Sequence, residues 1–313
     1  MTTTRVAAID CGTNSVRLLI ADLDPETGRI TDLDRRMVIN RLGQGVDATG
    51  RLHPDALERT FAACREYAGV VAAHGVGADR IRFVATSASR DAENAAEFTE
   101  GVRGILGVSP EVVSGDEEAR LSFTGATKEL TGEPFAAPYL VFDLGGGSTE
   151  FVLGGAEVEA ARSVDIGCVR MTERHFAGSE LPTPGQIAGA RADVRAALDT
   201  AAETVPLTGA ATLVGLAGTV TTVAGIVLGL PAYDSERIHH ARLTVEQVRE
   251  VAGQLLTTTH AERAAIPVMH PGRVDVIAAG ALVLLEIMER TGAAEVVVSE
   301  HDILDGIAWS IAS

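Results

Sequence analysis

Two short polar stretches combine an aspartate with glycines and hydroxyl side chains, and each lies between two apolar runs. The first is DCGTNSVR, residues 10–17, and the second is DLGGGSTE, residues 143–150. A glycine-rich turn lets a phosphate approach the backbone closely, and successive N–H groups form a concave anion site. An aspartate at the end of a strand can hold a divalent cation against such a phosphate. The residue types therefore predict phosphate binding.

The two stretches align position by position. The aligned residues are Asp10, Gly12, Ser15 and Arg17, opposite Asp143, Gly145, Ser148 and Glu150. Tight hairpin turns that need glycine and a capping aspartate would explain either stretch alone. Two copies in one register, 133 residues apart, indicate instead a duplicated phosphate clasp. In this clasp Arg17 offers a positive fork to phosphate oxygens, whereas Glu150 adds an acidic oxygen on the metal side.

Three further polar segments lie at predicted junctions between strands and helices. In VATSASRDAEN, residues 84–94, hydroxyl side chains precede Arg90 at the end of a strand, where α/β domains place ligand contacts. In SGDEEARLSF, residues 114–123, three acids begin a helix, and one that faces a cleft could polarise a water molecule. In GLAGTVTT, residues 215–222, a glycine and a threonine begin a helix, which suits an anion. Helix capping and solvation are the alternative explanations.

The composition limits the kinds of protein and partner that are possible. A chain of 313 residues exceeds one compact core, so two domains are expected. The net charge of −17 disfavours a nucleic-acid partner but allows a phosphate chain held in a local positive groove or by a cation. Glycines and threonines break residues 212–233 well short of the roughly 18–20 apolar residues of a membrane span. Three cysteines without paired spacing favour the cytoplasm, and Cys168 is interpreted as a packed side chain rather than a catalytic thiol.

Apolar, β-branched runs alternate with helical patterns along the chain, which predicts an α/β protein. The segment Lys128–Tyr139, rich in turn residues, is the best candidate for a crossover between domains. We therefore expect a first domain over residues 1–127 and a second over 128–313. Whether the last helix, at about 302–313, packs back on the first domain is left open.

Seven motifs, in order, resemble those of the exopolyphosphatase and guanosine pentaphosphate phosphohydrolase family, Ppx/GppA. They are AIDCGTNSVRLLIAD, ATSASRDAEN, VVSGDEEARL, VFDLGGGSTEFVLG, SVDIGCVRMTE, GLAGTVTT and VVVSEHDILDGI. The resemblance implies two ribonuclease H-like domains of the actin-like superfamily, with the active site in the cleft between them. It also implies Mg²⁺-dependent release of terminal phosphate from inorganic polyphosphate, from guanosine pentaphosphate, or from both.

The resemblance also implies roles for individual residues. Glu118, directly before the final Ala-Arg of the EEAR motif, would be the catalytic base. Asp143 and Glu150 would be the catalytic carboxylates that bind the metal ion and position water. The other site residues would bind phosphate: Asn14, Ser15, Arg17 and Arg90 in the first domain, and Gly145, Gly146, Ser148, Gly218 and Thr219 in the second.

Two features depart from the family pattern. The sequence LAGT, residues 216–219, stands where many relatives have Gly-Gly-Thr, so the resemblance is incomplete directly before Thr219. The chain also lacks the C-terminal helical extension of longer relatives, so short polyphosphates or a nucleotide are expected as substrates in preference to long chains. The alternatives are a guanosine pentaphosphate 5′-phosphohydrolase, a catalytically weak regulator that binds polyphosphate or an alarmone, and an actin-like kinase or ATPase. A homodimer is left open.

Overall fold

Two mixed β-sheets divide the chain into two units. The computed structural model describes residues 3–24, 26, 29–128, 130, 135–178 and 180–311. The first unit comprises Met1–Glu129 with His301–Ser313, and the second comprises Leu130–Glu300. The predicted crossover, Lys128–Tyr139, falls at this division, and part of it lies outside the described residues.

The first sheet is built from five strands. They are β1 (Thr4–Cys11), β2 (Ser15–Asp24), β3 (Arg29–Ile39), β4 (Ile81–Ala85) and β5 (Glu111–Val112), in the spatial order β3-β2-β1-β4-β5. The pairs β1–β2 and β2–β3 are antiparallel, whereas β4 and β5 continue the sheet in parallel from β1. Parallel neighbours require crossover connections, and these carry helices onto the faces of the sheet.

Helices cover both faces of this first sheet. Those that precede the second unit are α1 (Val46–Thr49), α2 (Pro54–Ala73), α3 (Ser87–Asp91), α4 (Ala95–Leu106) and α5 (Gly115–Thr127). Side chains alternate along β1, so that Ala7 and Ile9 pack with apolar residues of α2 and α4 while Val6 and Ala8 pack on the opposite face. Burial on both faces explains why β1 reads as a nearly continuous apolar run.

The second sheet repeats this plan with one extra strand. Its strands are β6 (Tyr139–Leu144), β7 (Thr149–Gly154), β8 (Val158–Val164), β9 (Thr212–Leu216), β10 (Arg242–Thr244) and β11 (Glu295–Val298), in the order β10-β11-β9-β6-β7-β8. The strands β6, β7 and β8 form an antiparallel meander, and β9 and then β11 continue in parallel from β6. The run β8-β7-β6-β9-β11 therefore matches the order of the first sheet, as a duplicated unit requires.

Helices of the second unit surround the largest apolar core of the chain. They are α6 (Cys168–Met171), α7 (Pro184–Ala202), α8 (Ala217–Val227), α9 (Ser235–Ile238), α10 (Val245–Thr257), α11 (His260–Ala264) and α12 (Ile277–Thr291). Residues 212–233 form β9 and α8, the predicted strand, turn and helix. Among the residues that the structure describes, no helix is both long and apolar enough to cross a membrane.

The final helix, α13 (Ile303–Ile311), belongs to the first unit and covers the Val6 face of its sheet. It crosses α5 at two glycines that permit backbone contact. A Cβ atom on Gly125 would lie 1.8 Å from the carbonyl oxygen of Asp302, and one on Gly306 would lie 1.9 Å from that of Leu121. The C-terminal segment is thereby held directly against the helix that carries Glu118.

Candidate active site

The first polar stretch forms the turn between β1 and β2. Asp10 and Arg17 are direct partners across these strands, and the N–H of Gly12 donates to the carbonyl of Ser15 over 2.9 Å. Burial raises the pKa of the Asp10 carboxyl, and the charge of Arg17 opposes the shift. Nε and Nη2 of Arg17 lie 3.0 and 2.7 Å from Oδ2 of Asp10, so the two side chains form an ion pair on one face of the hairpin.

The second polar stretch forms the equivalent turn between β6 and β7. Asp143 and Glu150 are direct partners, and the N–H of Gly145 donates to the carbonyl of Ser148 over 3.1 Å. The two hairpins therefore share register and turn closure, as the alignment predicts. Where the first hairpin carries an acid and a base, the second carries two acids.

Asp143 and Glu150 form a pair whose chemistry suits a cation. Directly opposed residues in antiparallel strands project to the same face, with Cβ atoms about 4.5–5.5 Å apart. Both side chains are buried, with 8% and 1% exposed, and the hydroxyl of Ser163 donates to Oε1 of Glu150 over 2.7 Å. Adjacent buried carboxylates repel each other, and a cation between them converts this repulsion into attraction.

The donor set of this pair fits Mg²⁺. This ion prefers oxygen ligands and commonly takes one or two protein carboxylates together with waters and substrate phosphates. Within the described ranges, no group of three or more His, Cys, Asp or Glu side chains is placed to hold a metal ion. Asp143 and Glu150 would thus supply the protein ligands, and phosphate oxygens and waters would complete the shell.

The carbonyl groups of the second turn are held by the segment that follows β8. The carbonyl of Gly145 accepts from the N–H of Cys168 over 3.0 Å, and that of Gly146 accepts from the N–H of Val169 over 2.9 Å. Nε of Arg170 donates to the carbonyl of Gly147 over 2.7 Å. In a trans peptide the C=O and the following N–H point in opposite directions. The N–H groups of residues 146–148 therefore point away from α6, on the side opposite these bonded carbonyls.

Replacing Gly167 with alanine should disrupt this turn. A Cβ atom there would lie 2.4 Å from the carbonyl carbon and oxygen of Gly146, so backbone must move. We expect a loss of about 1–3 kcal/mol in the free energy of unfolding, measured by urea denaturation. Gly253→Ala is the matched control, because Gly253 lies in α10 with no atom within 4 Å of its added Cβ. That variant should gain about 0.5–1 kcal/mol, and equal stability of the two variants would contradict the proposed contact.

Of the three acids that begin α5, only Glu118 is buried. Glu117 turns outward and pairs with Arg82 over 2.8 Å. Oε2 of Glu118 lies 3.4 Å from Nη1 of Arg90, which also donates to the carbonyl of Val113 over 2.9 Å. The first unit thus brings the predicted base into contact with a predicted phosphate ligand.

Oδ1 of Asn14 and Oγ of Ser89, near the first turn, are among the buried polar atoms that have no hydrogen-bond partner in the described residues. The hydroxyls of Thr13 and Ser87 pair over 2.9 Å, which joins the turn to the start of α3. The N–H of Arg41, a residue with a left-handed φ of 52°, donates to the carbonyl of Asn14 over 3.0 Å. Because buried polar atoms without partners are rare, this turn is a candidate contact for a ligand or water.

Arg273 is a candidate site residue that the motifs miss. It lies in the 3₁₀ turn Pro271–Arg273, and its Nη1 donates to the hydroxyl of Thr222 over 3.0 Å. A Cβ atom on Gly218 would lie 2.1 Å from Nη2 of Arg273, so the guanidinium packs on the bare backbone of that glycine. The first turn of α8 therefore combines its N–H groups with a guanidinium, which suits an anion.

The side chain of Thr219 faces the protein interior. It is buried, with 4% exposed, and a Cβ atom on Gly280 would lie 2.6 Å from its hydroxyl oxygen. Burial raises the pKa of the neighbouring Cys168 thiol, and a hydrogen bond with Thr219 partly opposes that shift. A raised pKa disfavours the thiolate, in keeping with Cys168 as a packed side chain. Phosphate contact by the Thr219 hydroxyl stays a prediction.

The sequence LAGT, residues 216–219, places an alanine in a backbone conformation that favours glycine. Ala217 has a φ of 71°, in the left-handed region that favours glycine. Ala217→Gly is expected to raise the free energy of unfolding by about 0.5–1 kcal/mol, because relief of this strain outweighs the added chain entropy. Thermal and urea unfolding would measure the change. Ala192→Gly, at an exposed position inside α7, should instead destabilise by about 1 kcal/mol; equal losses in both variants would contradict strain at Ala217.

The structure adds a second partner to Arg17. Its Nη1 donates to Oδ2 of Asp302, so its guanidinium lies between Asp10 and Asp302. The other predicted ligands Asn14, Ser15, Gly145, Gly146 and Ser148 lie in the two turns. Phosphate contact by these residues and by Arg17 stays a prediction.

The matching strand orders of the two sheets and the two equivalent hairpins are features that this chain shares with one family of phosphatases. A sequence model of the Ppx/GppA phosphatase family matches residues 19–313, and the chain belongs to this family. It is 50% identical to Exopolyphosphatase 2 of Mycobacterium tuberculosis over 323 aligned positions, which cover 100% of both chains. It is 30% identical to the guanosine-5′-triphosphate,3′-diphosphate pyrophosphatase of Aeromonas salmonicida, over 97% of this chain and 59% of that protein.

Solved structures of relatives share the whole fold. An exopolyphosphatase-like protein is 45% identical with a TM-score of 0.92, over 98% of both chains. The Aquifex aeolicus member of the Ppx/GppA family is 31% identical with a TM-score of 0.82, over 99% of this chain and 98% of that one. The predicted α/β fold of two duplicated domains is confirmed, as is the resemblance to the family.

Proposed function

We propose that the protein is a phosphohydrolase that releases terminal orthophosphate from inorganic polyphosphate by attack of water. The observation that carries this proposal is the second hairpin. There, a buried pair of carboxylates suited to a cation adjoins a glycine turn whose carbonyl groups bond to the segment after β8, which leaves the N–H groups of residues 146–148 on the opposite side. A metal ion beside an anion-binding turn is an arrangement that can bind and polarise a phosphate.

The relatives support polyphosphate as the substrate. The protein named Exopolyphosphatase 2 is 50% identical over its full length. The relative named for a guanosine nucleotide is 30% identical, and this chain spans 59% of it. We therefore place guanosine pentaphosphate second, as the alternative substrate.

In the proposed mechanism, Glu118 accepts a proton from the attacking water. Its burial and its contact with Arg90 fix the carboxylate, and Arg90 keeps further N–H groups for a phosphate oxygen. The turn N–H groups of residues 146–148 bind phosphate oxygens. Mg²⁺, when bound by Asp143 and Glu150, would neutralise charge on the phosphates. The bond from water oxygen to the terminal phosphorus forms as the bond to the bridging oxygen breaks, so no side-chain nucleophile is required.

A comparative phosphate-release assay tests this proposal. Tripolyphosphate, long-chain polyphosphate, guanosine pentaphosphate and ATP are supplied separately at equal concentration with Mg²⁺. We expect the highest rate of orthophosphate release from an inorganic polyphosphate. Faster release from guanosine pentaphosphate would favour the nucleotide alternative, and turnover confined to ATP would favour a kinase or ATPase. Thermal stabilisation by a ligand without phosphate release would favour a binding regulator.

We also propose that the protein acts in the reducing cytoplasm without a nucleic-acid partner. Cys11, Cys64 and Cys168 are free thiols, and all are buried. The net charge of −17 provides no basic excess for a nucleic-acid backbone.

A further inference from the structure

The guanidinium of Arg17, a predicted phosphate ligand, is bonded to two carboxylates. Nε and Nη2 of Arg17 donate to Asp10, and Nη1 donates to Asp302. The Arg17 side chain is 19% exposed, whereas each carboxylate side chain is 6% exposed. One guanidinium is thus shared by two nearly buried acids beside the first phosphate turn.

Asp302 does not need its charge in order to begin α13. Its Oδ1 accepts from the N–H of Leu304 over 3.0 Å, which is the bond of a helix cap. Asparagine caps a helix about as well as aspartate. Burial acts to raise the pKa of Asp302, but Arg17 and the Leu304 N–H hold it below its usual value, so the carboxylate is charged at neutral pH. The negative charge therefore acts mainly on Arg17.

A phosphate that binds Arg17 must compete with these acids. A guanidinium binds an oxyanion through two neighbouring nitrogens, which form one edge of the group. Every such edge of Arg17 includes a nitrogen that already donates to Asp10 or Asp302. Both bonds from Arg17 to Asp10 end on one oxygen, Oδ2, and Asp302 contributes more than Asp10 to raising the pKa of Arg17. Asp302 is consequently the stronger of the two competitors for the guanidinium.

We propose that Asp302 sets the affinity for substrate by competing with the phosphate chain for Arg17. This inference rests on the proposed function. It concerns the SEHDILDG segment, residues 299–306, to which the proposed mechanism gives no role. Through Asp302, the segment places a negative charge beside the first phosphate turn.

The test is Asp302→Asn, which removes the charge and retains the cap. Binding of tripolyphosphate with Mg²⁺ is measured by calorimetry, and KM and kcat by phosphate release. We expect about tenfold tighter binding and a correspondingly lower KM, the effect of one charged hydrogen bond, with kcat changed less than about threefold. In an Arg17→Gln background the same substitution should change affinity less than about twofold, because its effect acts through Arg17.

Asp305→Asn is the matched control. It removes an equal charge from the same helix, and Asp305 pairs with Arg35 rather than Arg17. Oδ2 of Asp305 also accepts from the N–H of Asp302 over 3.0 Å, a bond that the amide oxygen of asparagine can keep. Unchanged or weaker binding by Asp302→Asn overturns the inference, as does an equal gain in Asp305→Asn or in the Arg17→Gln background. If Arg17→Gln fails to fold, Arg17→Met, which is also uncharged, replaces it, and the single variants still decide the question. A wild-type protein that neither binds nor cleaves any phosphate chain would reject the proposed function itself, and the inference with it.

Discussion

Replacing Glu118 with glutamine is expected to lower kcat for orthophosphate release from tripolyphosphate by about 10²–10⁴-fold. Glutamine keeps the size of the side chain and a partner for Arg90, which lies 3.4 Å from the carboxylate. It cannot accept the proton of the attacking water. Binding of tripolyphosphate, measured by calorimetry, should therefore change much less than kcat.

Glu117→Gln is the control for this prediction. Glu117 is the neighbouring acid of the same helix turn, but it is exposed and pairs with Arg82. Its replacement should leave phosphate release within about twofold of wild type, as expected for a surface ion pair. Full activity of Glu118→Gln, or equal losses in both variants, would exclude Glu118 as the base.

The second large effect is expected for Asp143→Asn. This change removes one of the two buried carboxylates of the β6–β7 hairpin. A bound metal ion stabilises the charge of the transition state by several kcal/mol, and the variant should lose this contribution. We therefore expect kcat/KM to fall by about 10²–10³-fold. Because like charges at opposed positions repel, the variant without metal should unfold at the same or a higher temperature than wild type.

Thermal unfolding with and without Mg²⁺ separates this role from a structural one. Wild type should gain stability as Mg²⁺ is added, since a ligand of the native state stabilises it, and Asp143→Asn should lose most of that gain. Glu159→Gln, at an exposed position of β8, is the control and should keep both the gain and the activity. An Mg²⁺-dependent gain in Asp143→Asn equal to that of wild type would contradict the metal site.

The register of the two hairpins was predictable from the sequence because it depends on local spacing. In each copy the aspartate and its partner flank a short turn closed by one backbone hydrogen bond. Apolar runs on both sides predict the strands, and the glycines predict the turn. The sequence also indicated that one of the three acids that begin α5 could face a cleft, and Glu118 is the one of the three that is buried.

Other features depend on contacts between distant parts of the chain. The packing of Arg273 on Gly218 joins segments that no motif connects, and only the need for glycine at 218 hints at a large neighbour. Asp302 meets Arg17 across 285 residues. Aligning the hairpins therefore identified Arg17 as a cation near phosphate but could not reveal the acid that holds it.

The strand β3 was also missed by sequence patterns. Its residues, RITDLDRRMVI, are largely exposed or half-buried, because it lies at the edge of the first sheet. An edge strand with charged side chains lacks the apolar alternation on which prediction depends. Charges at such an edge also discourage pairing with strands of other molecules.

The most direct test of the central claim is hydrolysis of tripolyphosphate in H₂¹⁸O with Mg²⁺, followed by mass spectrometry of the products. Attack of water on the terminal phosphorus predicts one ¹⁸O atom in each released orthophosphate and none in the pyrophosphate that remains. Label in pyrophosphate would instead indicate attack on the middle phosphorus. That result would contradict attack at the terminal phosphorus, and the absence of any orthophosphate release from inorganic polyphosphate would contradict the proposed exopolyphosphatase activity itself.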